Sequence, residues 1–374
     1  MSTGVMEDWG DSTINAGNVT QIPIYSTTDE QHMISVKKDK SGEDIDWWFI
    51  YKLPKSAGNI SKTDPTEAGY QYLYFDANSK QLRLSQKLLT DPQSAVELTL
   101  AQIDQTQIPD SVGWFYYNDE IPEQVLGNGH DDGSKGHTKG LIMFDTATDT
   151  ALWLLHSTPR WPLPGNTRFP DDERIYGQTM LAITLKDLKT AELLAAQMLA
   201  QQQPQVYSPR LPDTLSANSP IRSLVNAKTW PKTKTPSVLP FHSRAGESFT
   251  CYAKNRAWDD DFWIDLVAHD LKITADVETW RRGTLPGVND FDDDGHAKDI
   301  QFVTLKNLGI DSEWKYTHDH SKWGIAEKTP LVFVADINRQ TSQEKRGGGA
   351  IGFRNNSLWQ ALQGIELFSN PDQD

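Results

Sequence analysis

Gly136-His137-Thr138-Lys139-Gly140-Leu141-Ile142-Met143-Phe144-Asp145 is a His-x-Lys triplet set between glycines and run into an apolar stretch. Residues 139–145 are short and apolar enough to read as a buried strand. His137 and Lys139 stand two apart at its head, so both project to the same side. Imidazole is a nucleophile or proton carrier, and the lysine is a fixed cation. Together they suit a phosphodiester: the histidine attacks phosphorus or shuttles a proton, while the ammonium holds the oxygens that gather charge. A lone His-x-Lys is common by chance, and the plain alternative is a solvated pair at a strand end.

A second apolar run, Ala151–Ser157, follows across Thr-Ala-Thr-Asp-Thr and makes a hairpin with a long loop. Strands are also expected at 46–53, closed by Pro54, at 70–75 and at 176–183, with a single early one at Gln21–Tyr25. Thr184 to Asp187 resembles a capping box, and helix formers continue to Gln203 before Pro204. Seven prolines fall in 204–240, which reads as a connection between halves. Beyond it, 246–270 has apolar residues at helical spacing, 271–280 and 330–336 are strand-like, 289–299 is an acidic loop, and 357–368 is a helix. The expected organisation is a weakly structured segment (1–45), a first half (46–203), the Pro-rich connection (204–240) and a second half (241–374). Alternating strands and helices predict an α+β fold of mixed α/β layers.

The triplet recurs. Asp319-His320-Ser321-Lys322-Trp323 repeats the spacing ahead of the apolar strand 330–336, and His320 lies 183 residues after His137, on the other side of the Pro-rich stretch. Two halves that each give one histidine and one lysine can meet around a single phosphate. One imidazole is then neutral and nucleophilic, the other protonated and ready to serve the leaving oxygen.

Composition sets bounds. Thirty-six Lys and Arg against 51 Asp and Glu give −15 at pH 7 among 374 residues, which taken alone argues against a polyanionic partner. Near pH 4.5 the nine histidines are charged and about half the glutamates neutral, so the objection weakens in acid. The single cysteine, Cys251, excludes an internal disulfide and a multi-cysteine metal centre. Asp292-Asp293-Asp294-Gly295-His296 and His130-Asp131-Asp132-Gly133 lack full calcium-loop spacing and read as solvated turns. No metal and no cofactor is expected. No apolar run approaches about 18 residues, so no membrane association is expected, and the N-terminal residues carry no secretory pattern.

Several motifs in order carry a resemblance: DWWFIYKLP (46–54), YNDEIP (117–122), GHTKGLIMFD (136–145), WLLHSTPRWP (153–162), YGQT (176–179), FTCYAKNRAWDDD (249–261), DHSKW (319–323) and ADINRQTSQEKRGGG (335–349). The chain resembles the deoxyribonuclease II family of the phospholipase D-like superfamily over roughly 46–368. The resemblance implies a pseudo-dimer of two sheet-and-helix halves. It implies a metal-independent, acid-active endonuclease that cuts double-stranded DNA with little sequence preference, through a phosphohistidine, to 3′-phosphate ends. It assigns His137, Lys139, His320, Lys322 and a third histidine, His156, to catalysis. His156 lies 19 residues after His137 and Asn338 lies 18 after His320, which suggests equivalent places in the two halves. Asn338, Arg346, Lys254 and Glu327 are the candidate substrate-binding residues. Arg346-Gly347-Gly348-Gly349 reads either as a backbone nest for phosphate or as a tight turn. Trp161 and Trp323 read as core, and His318 as a solvated neighbour. The superfamily places an acid five residues after the lysine; Glu327 fits, but after Lys139 that place is Phe144, with Asp145 one later. Animal members carry disulfides, so this chain looks like a bacterial, disulfide-free member, cytoplasmic or exported by a route not readable here. The pseudo-dimer is complete as a monomer, and a homodimer is equally compatible. A lipid-headgroup phosphodiesterase, an inactive DNA-binding relative and, resting only on the acidic clusters, a metal-dependent nuclease are the rival readings.

Overall fold

The structure, a computed structural model, describes residues 33–58, 60, 64–126, 135–165, 169–282 and 296–368. The strand expected at Gln21–Tyr25 lies outside the described residues, as do 130–133 and 292–295. The architecture is mixed α and β, with two large sheets. The first contains β1 (Trp47–Lys52), β2 (Tyr72–Asp76), β3 (Arg83–Leu84), β4 (Val112–Asn118), β5 (Lys139–Asp145), β6 (Thr150–His156), β7 (Gln178–Leu185) and β8 (Val206–Arg210). Their order is β8-β4-β5-β6-β7-β1-β2-β3. The second contains β9 (Ser237–His242), β10 (Ser248–Lys254), β11 (Thr274–Thr279), β12 (His296–Asp299), β13 (Lys322–Ala326), β14 (Leu331–Ala335) and β15 (Gly348–Arg354), in the order β9-β10-β15-β14-β13-β11-β12. Every pairing in both is antiparallel except β11 with β12.

The five central strands of each sheet follow one plan. Numbered along the chain, both read second, third, fourth, fifth, first: β4-β5-β6-β7-β1 and β11-β13-β14-β15-β10. The register matches as well. Lys139 faces Asn118 as Lys322 faces Thr279, and Lys52 faces Gln178 as Lys254 faces Gly348.

Both faces of the first sheet are buried along its inner strands, which is why those strands are mainly apolar. Trp47, Phe49 and Tyr51 point into a core shared with Phe249, Trp323, Val332 and Phe353 of the second sheet. The Trp47 ring meets Phe353 edge-on at 5.1 Å and the Tyr51 ring lies 6.3 Å from Trp323. Helices α1 (Leu188–Gln197), α2 (Pro220–Val225) and α3 (Asn356–Gln363) add Leu194, Leu224 and Leu358. Ile34, Val36 and Val96 cover the far side of the first sheet, and Phe262, Trp263 and Val267 that of the second.

Four expected elements differ. Residues 246–270 are not one helix: Ser248–Lys254 is a strand paired on both edges, and helical turns begin only at Phe262. Phe249, Cys251 and Ala253 alternate in a way a sheet can also bury, and pairing decided it. The cap of α1 is Asp187, whose carboxylate accepts from Thr190 N–H at 2.7 Å; Thr184 lies inside β7. The Pro-rich stretch is built of β8, which joins the first sheet, then α2 and the start of β9, which joins the second. A two-stranded ribbon, Val36–Lys37 with Asp44–Ile45, likewise lies within 1–45.

Candidate active site

The two His-x-Lys segments meet by exchange. His137 N–H donates to the Gly347 carbonyl at 2.8 Å, and His320 N–H donates to the Gly177 carbonyl at 2.8 Å. Gly177 and Gly347 hold matching positions, each one residue before its strand, so each half supports the other's histidine. Backbones approach closely here. A Cβ on Gly177 would strike the Asp319 carboxylate, and one on Gly136 the Gln202 carbonyl.

His137 donates its Nδ1 proton to the Asp336 carbonyl. A carbonyl only accepts, so Nε2 carries the lone pair. Nε2 lies 3.7 Å from Asp119 Oδ2, and that buried carboxylate also pairs with Lys139 and, at 3.4 Å, with Arg346. Burial pushes Asp119 up, but Lys139, His137 and Arg346 hold it well below the carboxylate range. Burial, then Lys139, Arg346 and Lys322, pull His137 well below an ordinary histidine, against the opposing Asp119.

His320 differs. Its Nδ1 lies 3.3 Å from Glu173 Oε2, and its ring stacks on Tyr176 at 3.7 Å, with Trp280 at 4.4 Å. Its Nε2 is buried and has no hydrogen-bond partner among the described residues. Burial, then Lys322 and Lys139, lower its pKa strongly. Lys322 donates to the His320 carbonyl at 2.6 Å. Burial and then Lys139 bring Lys322 down to about 7. Two buried cations near enough to depress both histidines make a site ready for an anion.

His156 ends β6. Its Nδ1 accepts from Thr158 N–H at 3.2 Å, its Nε2 has no partner among the described residues, and Trp161 packs on the ring at 4.6 Å. The proton therefore sits on Nε2, a donor with nothing to bond. Burial and then Lys139 lower its pKa to about 3. Asn338, also buried, has an unpartnered Oδ1 two residues beyond Asp336.

The remaining expected residues sort differently. Leu155 takes the register place of Val334, so His156 answers to Ala335 and Asn338 to Pro159. The 19- and 18-residue offsets mislead because β5 and β6 are each two residues longer than β13 and β14. Glu327 pairs with Lys298 at 3.0 Å just past the far end of β13. That is about 16 Å of strand from Lys322, too far to orient His320. Asp145, at the far end of β5, caps the hairpin by accepting from Ala147 N–H at 2.8 Å. Lys254 donates to the Glu344 carbonyl as Lys52 donates to the Arg174 carbonyl. Both lysines pin the loop before a supporting glycine, and Lys52 also lies near enough to His320 to help lower its pKa. Gly347, Gly348 and Gly349 have no positive φ. They are neither turn nor nest, and Arg346 instead holds the Lys135 and Gly136 carbonyls at 3.0 and 3.3 Å. Trp161 and Trp323 are core, and His318 is exposed. The carboxylates beside the two histidines, Asp119 and Glu173, were missed. Asp119 stands inside the motif YNDEIP, whereas no motif marks Glu173. Among the described residues, no group of three or more His, Cys, Asp or Glu is placed to hold a metal ion.

The fold and site define a mixed α/β protein with two His-x-Lys segments converging on one buried cationic centre. The family model for deoxyribonuclease II matches residues 37–370. The chain is 41% identical over 334 residues to a putative deoxyribonuclease-2 of Burkholderia thailandensis, covering 89% of this chain and 93% of the other. It is 35% identical to deoxyribonuclease-2 of Caenorhabditis elegans, with the same coverage, and 32% identical to plancitoxin-1 of Acanthaster planci, covering 87% and 88%. The chain belongs to the deoxyribonuclease II family and is a DNA-hydrolysing nuclease.

Proposed function

We propose that this chain is a metal-independent, acid-active endonuclease built as a phospholipase D-like pseudo-dimer, cutting double-stranded DNA with little sequence preference. The single observation that carries this reading is the exchange at the site, which joins His137, Lys139, His320 and Lys322 around one cationic space. His137 is the nucleophile: its Nε2 lone pair forms a bond to phosphorus, and the bond from phosphorus to the 5′-oxygen breaks. His320, protonated at Nε2 and supported through Nδ1 by Glu173, gives its proton to that oxygen. Lys139, Lys322 and the Nε2–H of His156 receive the charge that gathers on the non-bridging oxygens. His320, now neutral, takes a proton from water, which attacks phosphorus, breaks the phosphorus–nitrogen bond and releases a 3′-phosphate end.

Acid preference follows from the site's charge. Lys322 loses its proton near pH 7, and burial with the two lysines opposes imidazolium at His320. A phosphodiester anion between the lysines offsets that penalty, so substrate and acid act in the same direction. The test is nicking of supercoiled plasmid at about pH 5 in excess EDTA. Wild type nicks and His137→Ala does not. Dependence on added divalent metal, or equal cleavage by the variant, overturns the reading.

A further inference from the structure

Beside the centre lies a groove of about 560 Å³ lined by Lys135, Gln203, Thr229, Trp230, Lys232, Arg256 and Ala257. We propose that this groove binds the sugar–phosphate backbone of a DNA strand next to the scissile phosphate; the inference rests on the nuclease reading above. Three observations carry it.

The first is position. Lys135 is two residues from His137, at most about 7 Å along the chain, and its carbonyl is held by Arg346. Gly136 N–H donates to the Gln203 carbonyl at 2.9 Å, so a groove wall and the nucleophile's lead-in are hydrogen-bonded together.

The second is charge. The chain is strongly acidic, yet from Thr214 to Gly246 it has no Asp or Glu and has Arg222, Lys228, Lys232, Lys234 and Arg244. At the chain's average of 51 carboxylates in 374 residues, a stretch of that length would hold about four or five. By contrast, a cavity lined by Glu123, Asp171 and Asp172 with Arg160 lies next in sequence to Glu173, the partner of His320, and Arg160 is taken up by Glu120, Asp172 and Glu173. A polyanion is therefore drawn to the His137 side of the centre.

The third is construction. The lysine-bearing loop is tied down by buried amides. Gln203 and Asn255 both donate to the Pro231 carbonyl, at 3.3 and 3.0 Å, and Gln201 donates to the Thr235 carbonyl at 3.1 Å. Lys135 sits over the Trp230 ring at 5.7 Å. An exposed basic loop held this firmly loses little entropy when phosphates bind.

The experiment measures binding of a fluorescent DNA duplex to His137→Ala by anisotropy, across salt concentrations at pH 5. Each lost phosphate contact lowers the slope of log K against log salt by about 0.9. Adding Lys232→Ala and Arg256→Ala lowers the slope by about 1.8 and weakens binding about tenfold or more at 0.1 M salt. The control Lys306→Ala with Lys315→Ala, at exposed lysines remote in sequence, leaves the slope as it was. Thermal melts matched to the parent show that the fold is intact. An unchanged slope in the groove variant, or an equal drop in the control, overturns the groove while leaving the nuclease reading standing. Failure of wild type to cut DNA overturns the reading itself.

Discussion

His137 gives its Nδ1 proton to a backbone carbonyl, whereas His320 presents the same nitrogen to the Glu173 carboxylate. Strand order, register, supporting glycines and pinning lysines repeat between the halves; the partners of the two imidazoles do not. Asp119 binds the lysine of its own half, while the Lys322 ammonium donates to the His320 carbonyl. A repeated strand plan thus carries two electrostatic settings. The carbonyl leaves His137 neutral, with the lone pair on Nε2. The carboxylate favours a proton on His320.

The sharpest way to break this contrast is to delete each histidine and change the leaving group. His137→Ala loses about 10⁴-fold or more on plasmid and on bis(4-nitrophenyl) phosphate alike. His320→Ala loses about 10²–10⁴-fold on plasmid but far less on the nitrophenyl ester, whose phenolate departs without a proton. The His320 variant also accumulates phosphorylated enzyme, read by intact mass. Equal losses on both substrates would show that the mismatched partners do not assign the roles.

The lysines come next. Lys139→Met and Lys322→Met each lower kcat by about 10²–10³-fold, but they part in stability. The folded pKa of Lys322, about 7, lies below the ordinary value near 10.4. The unfolded chain therefore holds more protons between those values, and stability rises with pH across that window. Below it the native state carries a buried ammonium at full cost. Lys322→Met should melt higher than wild type at pH 5, with the gap closing above pH 10. A lower melting temperature at pH 5 would mean that the ammonium is compensated by contacts beyond His320.

Glu173→Gln keeps the shape and removes the charge beside His320. Glu173 is a positioning residue, so the expected loss on DNA is about tenfold, with the alkaline limb of kcat/KM moving to lower pH. On the nitrophenyl ester the limb should stay. A uniform loss without movement of either limb would reduce Glu173 to a structural prop.

How much of this was legible in sequence follows the same contrast. His137, Lys139, His320 and Lys322 were readable because a spaced pair repeats; the strand headed by Lys139 was readable as an apolar run, whereas the one headed by Lys322, Lys322–Ala326, was not, since only the next run at 330–336 stood out. Asp119 and Glu173 were not, because each reaches its histidine through space from a different loop, with no shared spacing. Glu327 fitted a spacing rule and failed in space, since five residues along an extended strand is a long distance. Lys254 lay in a family motif, yet its ammonium serves the Glu344 carbonyl. Residues 246–270 failed as a helix because an aromatic alternation can fit either period until a neighbouring strand pairs with it.

The smallest effect tests whether the two settings respond together to an anion. His137, His320 and Lys322 all have folded pKa values below their ordinary ones. As pH falls through the ordinary histidine range near 6.5, the unfolded chain takes up protons that the native site refuses, and the native state loses ground. An anion between the lysines raises all three values, so protons enter with it. Dimethyl phosphate keeps one negative charge at both pH 5 and pH 8, which removes the ligand's own titration from the comparison. At a fixed concentration it should raise the melting temperature more at pH 5 than at pH 8. Calorimetry in two buffers of different ionisation enthalpy should show proton uptake on binding at pH 5. His320→Ala should take up fewer protons than wild type, because the carboxylate-supported imidazole is gone, whereas Glu327→Gln, remote from the centre, should match wild type. Equal stabilisation at both pH values, with no proton uptake, would mean that the lysines bind the anion without engaging either histidine, and the electrostatic difference between the halves would then have no part in recognising phosphate.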